Sequence, residues 1–286
     1  MKKIMLTGAT GFLGSRLMEY LRTQADCQVL AFAPGMLRRA SESDICAQVD
    51  AFAPDALIHT AAISSTGYCE QHEDESYRAN VLLPQMLAVA AKKISAKLLF
   101  CSSDQVYNGT PGAGPYAEDA PLCPQNIYGR HKLEAEQRIL ALLPSAVGLR
   151  LTWLYDFPAY GLPTHANLLL NLFQAAALQQ SIPCSAHSFR GITYARQLAA
   201  LMLPALHLAG GIYNFGSENE YSMVDTTRAF LQAMGLLDAA EALLVPDFQK
   251  PLESLSISCQ KLRQSGLCFD TTVQGIQRCI ADYRLA

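Results

Sequence analysis

Apolar residues fall into two alternating patterns along the first half of this chain. Short continuous runs read as buried strands: Ile4-Met5-Leu6, Gln28 to Phe32, Ala56 to Thr60, Lys97 to Cys101 and Val147 to Leu151. Between them the apolar positions recur at helical spacing. Phe12, Leu13, Arg16, Leu17, Tyr20 and Leu21 line one face of a first helix. Asp44 is placed to cap a brief helix ending near Phe52. Tyr77, Val81, Leu82, Met86, Leu87 and Ala90 mark a helix over 73–93, with Pro84 expected to kink it or lie near a loosened turn. A further helix opens near Gln125. Strand-helix alternation of this kind predicts an α/β fold with a doubly wound parallel sheet.

The second half is less regular. Helices are expected over 167–180, 195–208, 223–234 and 273–283, with a short returning strand at Gly211-Ile212-Tyr213-Asn214-Phe215-Gly216. This divides the chain into a nucleotide-binding domain, 1–150 with 186–216 returning to it, and a smaller C-terminal substrate lobe, 151–185 and 217–286. A substrate cleft is expected between the two.

Composition narrows the class. A hydrophobic content of 50% with 16% charged residues fits a globule. The formal charge of −3 leaves no broad basic surface, which argues against nucleic acid as a partner. The nine cysteines are odd in number and show no Cys-x-x-Cys spacing, so neither a disulfide framework nor a metal site is expected. The first strand begins at once, leaving no room for a signal peptide, and no apolar run is long enough to span a bilayer. A cytoplasmic protein is expected.

The chemistry starts at Leu6-Thr7-Gly8-Ala9-Thr10-Gly11-Phe12-Leu13-Gly14, a tight turn between the first strand and the first helix. Glycines at this spacing let backbone approach a pyrophosphate, which the helix N-terminus then attracts. Gly8, Thr10, Gly11, Phe12, Leu13 and Gly14 are therefore cofactor-binding candidates in a Rossmann-type domain. The second strand ends without the acidic residue that takes the ribose hydroxyls in NAD-preferring sheets. Arg38 and Arg39 follow it instead. They either face a 2′-phosphate or form a solvated loop, so NADPH is favoured and NADH stays open. Small residues Ala61 and Ala62 would let a cofactor lie against the third strand's end. His59, inside that strand, reads as a core residue rather than a catalyst.

Tyr128 and Lys132 are four apart on one helix face. A nearby ammonium favours the phenolate and would bring the tyrosine toward the working pH range, while also reaching ribose hydroxyls. At the end of the preceding strand Ser102 is a further cofactor-binding candidate, and Ser103 after it can hydrogen-bond a substrate carbonyl.

Taken together, Thr7 to Gly14, Ser103 to Tyr107, Pro115 to Pro121, Asn126 to Glu136 and Arg150 to Tyr155 resemble the dTDP-4-dehydrorhamnose reductase family of the extended short-chain dehydrogenase/reductase superfamily. The likeness runs nearly end to end. It implies NAD(P)H-dependent reduction of a nucleotide-linked 4-keto-6-deoxy sugar, often by a homodimer. Carried over by position, it implies Tyr128 as proton donor, Lys132 as its partner and ribose ligand, Ser103 as the carbonyl ligand and Asp104 as an organiser of the site. It also implies Ser64, Trp153 and Arg190 on the substrate side, with Arg190 either meeting the diphosphate or serving in a structural ion pair. The chain departs from the family's usual Asn at His59 and from its usual acidic pair at Arg196-Gln197. Two alternatives remain: an epimerase of the same superfamily, and a non-catalytic NADP-binding subunit similar to the β subunit of methionine adenosyltransferase. A dehydratase is disfavoured, because Asp104-Gln105 is not the expected Asp-Glu pair.

Overall fold

The computed structural model describes residues 1–33, 35–164, 167–236, 238 and 241–283. The chain forms two compact units. The first comprises 1–110, 121–151 and 199–213; the second comprises 111–120, 152–198 and 214–286. The segment returning to the first unit is thus shorter than the 186–216 read from the sequence, and 111–120 joins the second.

In the first unit, β1 (Lys2–Thr7), β2 (Cys27–Ala31), β3 (Ala56–His59), β4 (Lys97–Ser103) and β5 (Val147–Leu151) pair in parallel. With β10 (Gly211–Phe215) they make a six-stranded sheet in the order β10-β5-β4-β3-β1-β2. The chain moves outward one way from β1 to β2 and the other way from β1 through β3. The C-terminal ends of β1 and β3 therefore diverge at the topological switch point, where ligands of open α/β sheets bind.

Helices follow the expected periodicity. α1 spans Phe12–Arg22 and α2 spans Glu42–Phe52. The cap of α2 is Ser41 rather than Asp44: Ser41 accepts from the Asp44 amide at 3.2 Å, and Asp44 accepts from the Ser41 amide at 2.9 Å. After α3 (Thr66–Gln71), the long periodic stretch is α4 (Glu73–Tyr77), a π-helical turn over Arg78–Leu82, and α5 (Leu83–Lys93). The π turn is the loosened turn expected near Pro84, which follows it at the start of α5 in a continuous helical run. α6 (Ile127–Leu142) is capped by Asn126, which accepts from the Gly129 amide at 2.7 Å. One face of the sheet buries Met5, Leu57, Leu98 and Phe100 against Leu87, Ala91 and Ile139. Each such large side chain contributes about 1.5–3 kcal/mol on burial.

The second unit carries β6 (Trp153–Tyr155), α7 (Leu168–Ala177), β7 (Ile182–Ser185), β8 (Ser188–Arg190), β9 (Ile192–Tyr194), α9 (Met223–Ala233), β11 (Leu244–Asp247) and β12 (Glu253–Leu255). α8 (Ala195–Ala205) lies between β9 and β10 in sequence, and a last helix spans Thr272–Asp282. Its strands form three parallel pairs, β6 with β9, β7 with β11 and β8 with β12. Its core packs Tyr155, Tyr194, Phe230, Leu172 and Ile276.

Candidate active site

The glycine turn closes against the switch point. Gly8 has φ +73°, and a Cβ there would meet Thr60 Oγ1 at 2.6 Å and the Ala61 amide at 2.7 Å. A Cβ on Gly14 would lie 2.0 Å from the Gly8 carbonyl. Both positions therefore require glycine for the helix to enter so close to the strand ends. Gly11 caps α1 without a side-chain acceptor, and the first turn holds no acid. A helix N-terminus with neither a side-chain cap nor an acid suits a dinucleotide pyrophosphate. Phe12 and Leu13 are buried in the turn. The Arg16 guanidinium lies 4.0 Å from the Phe12 ring centroid and donates to the Phe12 carbonyl at 2.9 Å.

Two loops flank this turn, and the π turn holds both. Arg78 donates to the carbonyls of Arg38 (2.9 Å) and Ala40 (2.7 Å). Arg38 and Arg39 themselves are exposed. Asn80, fully buried, donates to the Ile63 carbonyl at 3.0 Å and accepts from its amide at 3.2 Å. That fixes the loop carrying Ala61, Ala62 and Ser64, the last two exposed. At the end of β3, His59 shares a 2.7 Å hydrogen bond with Thr7 through Nδ1. Its Nε2 is buried and has no partner among the described residues. Burial, with the Lys132 charge nearby, pushes the imidazole down to about 3. His59 is a neutral core residue, as its position in the strand implied.

Ser103, Asp104, Tyr128 and Lys132 meet where β4 ends. Ser103 donates to Asp104 at 3.1 Å, accepts from the Gln105 amide at 3.2 Å and shares a hydrogen bond with the Tyr128 hydroxyl. Asn126 donates to Gln105 at 2.8 Å. Gly129 lets α6 come this near, since a Cβ would lie 2.4 Å from the Gln105 carbonyl. Lys132 lies one turn along α6, its ammonium 5.7 Å from the Tyr128 ring centroid and 3.0 Å from the Cys101 carbonyl, to which it donates. Ser103, Asp104, Tyr128 and Lys132 are all buried.

The electrostatics differ from the expectation in one respect. Burial pushes the Tyr128 phenol well above its ordinary value; the Ser103 hydrogen bond opposes this and the Asp104 charge adds to it. Burial also pushes Lys132 below the usual lysine range, against Cys101 and Glu136, which raise it. The ammonium does not bring the phenol toward neutrality here, because it is bonded to Cys101 and the whole group is desolvated. Burial thus favours the protonated form of the Tyr128 phenol.

In the second unit, the Arg190 guanidinium lies 5.3 Å from the Trp153 ring centroid, and Asn219 donates to the Arg190 carbonyl at 2.9 Å.

The family model of the RmlD substrate binding domain matches residues 1–284. The chain belongs to that family. Among RmlD relatives, the spore coat polysaccharide biosynthesis protein SpsK of Bacillus subtilis is 27% identical over 248 residues, covering 87% of this chain and 85% of SpsK. The dTDP-4-dehydrorhamnose reductase of Aggregatibacter actinomycetemcomitans is 28% identical over 264 residues, 90% of this chain and 83% of that one. A crystal structure of dTDP-4-dehydrorhamnose reductase from Bacillus anthracis in complex with NADP superposes with a TM-score of 0.86 at 22% identity, covering 99% of each chain. That last likeness establishes the Rossmann-type fold.

The hydroxyl of Ser102, expected to face the cofactor, donates instead to Glu136 at 2.5 Å. Two features of this RmlD-family chain lay outside the sequence expectations. Glu136 and Arg150 form a buried ion pair at 2.8 Å. Asn80 and Arg78 anchor the two loops. Glu136 lies four residues beyond Lys132 on the same helix face, the one signal in the sequence that pointed to it.

Proposed function

We propose that this chain reduces the keto group of a dTDP-linked 4-keto-6-deoxy sugar with NADPH, in the manner of a dTDP-4-dehydrorhamnose reductase. The observation that carries the reading is the Tyr128 phenol, kept protonated by burial, hydrogen-bonded to Ser103 and one turn from Lys132. The names of the relatives supply the sugar nucleotide. In this reading Gly8, Thr10, Gly11, Phe12, Leu13 and Gly14 offer backbone to the pyrophosphate. Arg38 and Arg39 meet the 2′-phosphate, and Ala61 and Ala62 lie beneath the cofactor. NADPH, when bound, supplies the hydride.

Each side chain then has one task. Ser103 donates to the substrate carbonyl oxygen and polarises it. Tyr128 gives its proton to the alkoxide that forms on that oxygen. Lys132, one turn along α6, holds the nicotinamide ribose. Asp104 accepts the Ser103 proton in the free protein and yields it to the substrate carbonyl oxygen when that acceptor arrives. Ser64, Trp153 and Arg190 take the sugar nucleotide, Arg190 as a partner for its diphosphate. The first unit serves the cofactor and the second the substrate, in a cytoplasmic homodimer.

The test is NADPH oxidation followed at 340 nm with a panel of keto-sugar nucleotides. Stoichiometric oxidation with the dTDP-linked 4-keto-6-deoxy sugar is expected. Conversion of a sugar nucleotide with no net NADPH loss would show an epimerase, and NADPH binding with no turnover across the panel a non-catalytic subunit.

A further inference from the structure

Tyr128, Lys132 and Glu136 occupy successive turns of one α6 face. The first two face the site, while the third is buried in a polar cluster. The Glu136 carboxylate accepts from Ser102 Oγ at 2.5 Å, from Arg150 Nε at 3.0 Å and, through its other oxygen, from Arg150 Nη2 at 2.8 Å. Arg150 Nη1 donates to the Tyr107 hydroxyl at 2.8 Å, and the guanidinium lies 5.0 Å from the Tyr107 ring centroid. Glu136 and Arg150 are each about 97% buried, with relative exposures of 3%.

One forked ion pair thereby joins four pieces of chain: α6, β5, the end of β4 and the turn Asp104–Tyr107. Ser103 lies between two of its anchors, Ser102 before it and Tyr107 after it. Burying such a pair is seldom worth much in stability, because desolvation consumes most of the attraction. Its forked geometry, by contrast, fixes orientation tightly.

The geometry points to Glu136 and Arg150 as positioning residues of the reaction, holding the Tyr128 helix and the Ser103 strand end in the register that hydride and proton transfer need. This rests on Tyr128 as proton donor and Ser103 as carbonyl ligand. A misplacement of about 1 Å between such groups can cost on the order of 10²-fold in rate. Glu136 also faces Lys132. The other groups beside that ammonium are Tyr128 from α6, Cys101 from β4, Cys69 from α3 and His59 from β3, and all four are neutral at pH 7.

The test compares wild type with Glu136→Gln, Arg150→Lys and the apolar double variant Glu136→Leu/Arg150→Met. The double variant is expected to fold, to bind NADPH within about threefold of wild type, and to lose roughly 10–100-fold in kcat with little change in KM. Arg150→Lys, which keeps the charge but not the fork, should fall between. Glu136→Gln should move the alkaline limb of the kcat/KM profile to lower pH, which a purely structural role would not do. Amide hydrogen exchange at Gln105–Tyr107 should quicken at least tenfold in the double variant while β1 and β3 stay protected. Wild-type kcat together with unchanged exchange in Glu136→Gln and the double variant would overturn the inference. Should wild type reduce no keto sugar, the function reading fails, and the exchange measurement alone decides positioning.

Discussion

The Thr7 hydroxyl and His59 Nδ1 stand 2.7 Å apart on adjacent strands, at the point where the sheet reverses its winding. The Ala61 amide also reaches Thr7 Oγ1, at 3.3 Å. The Thr7 oxygen thus serves both that amide and the imidazole. Burial, with the Lys132 charge nearby, keeps the imidazole neutral.

A pH dependence of stability follows. The folded imidazole is pushed down to about 3 from an ordinary 6.5. Between these values the unfolded chain binds a proton that the folded chain refuses, so stability falls as pH drops below 6.5. The slope is about 1.4 kcal/mol per pH unit, or about 2 kcal/mol between pH 6.5 and 5. Urea denaturation of wild type and His59→Asn at pH 7 and pH 5 checks this. The variant, with no titrating ring, should lose about 2 kcal/mol less over that interval.

Gly14→Ala should be among the costliest small substitutions in the chain. The new methyl would lie 2.0 Å from the Gly8 carbonyl, a backbone atom that cannot swing aside. Opening the turn should cost about 1–3 kcal/mol and weaken NADPH binding more than tenfold. Gly67→Ala is the control, because nothing lies within 4 Å of its added methyl and its φ is ordinary. Thermal melts and cofactor titrations of the two variants should separate cleanly.

What the sequence disclosed and what it hid follow from how local each signal is. The glycine turn, the buried strands and the Tyr128-Lys132 pair are encoded within a few residues, and spacing alone reveals them. The Glu136–Arg150 pair joins different elements, and before folding it looks like two surface charges. Ser41 and Asp44 cap α2 reciprocally, so a reading that sought one capping residue settled three positions late. Asn80 and Arg78 lie inside a helical pattern that hides the π turn exposing them to the loops. The Gly- and Pro-rich loop at 111–120 joins the second unit because Tyr116 pairs with Ser256 and Ser258 through 2.8 Å backbone bonds, a partnership no local pattern signals.

Cofactor choice should turn on the loop after β2. Among the described residues, neither Arg38 nor Arg39 forms a salt bridge with an acidic side chain. The double variant Arg38→Ala/Arg39→Ala should weaken NADPH by at least tenfold and leave NADH nearly unchanged, since only the former has a 2′-phosphate to lose. Arg78→Ala, which frees the carbonyls of Arg38 and Ala40, should move selectivity the same way by a smaller factor. Unchanged affinity for both cofactors would place the arginines in solvent instead.

Tyr128→Phe isolates the proton. The ring is buried beside Cys69 and Ile127, and phenylalanine fills the same space, so folding should be preserved. Removing the hydroxyl leaves Ser103 its bonds to Asp104 and the Gln105 amide, so that side chain stays in place. Lys132 keeps its bond to Cys101, which leaves its ammonium available to the ribose. Cofactor affinity should therefore change by less than about threefold while kcat falls by roughly 10²–10⁴, the worth of a positioned general acid. Because burial keeps the phenol protonated, wild-type kcat should stay flat from pH 6 to 8 and the variant's residual rate should rise with added acid. A variant that retained wild-type turnover would mean that the proton arrives from elsewhere, and Ser103, the hydroxyl beside it, would be the next group to remove.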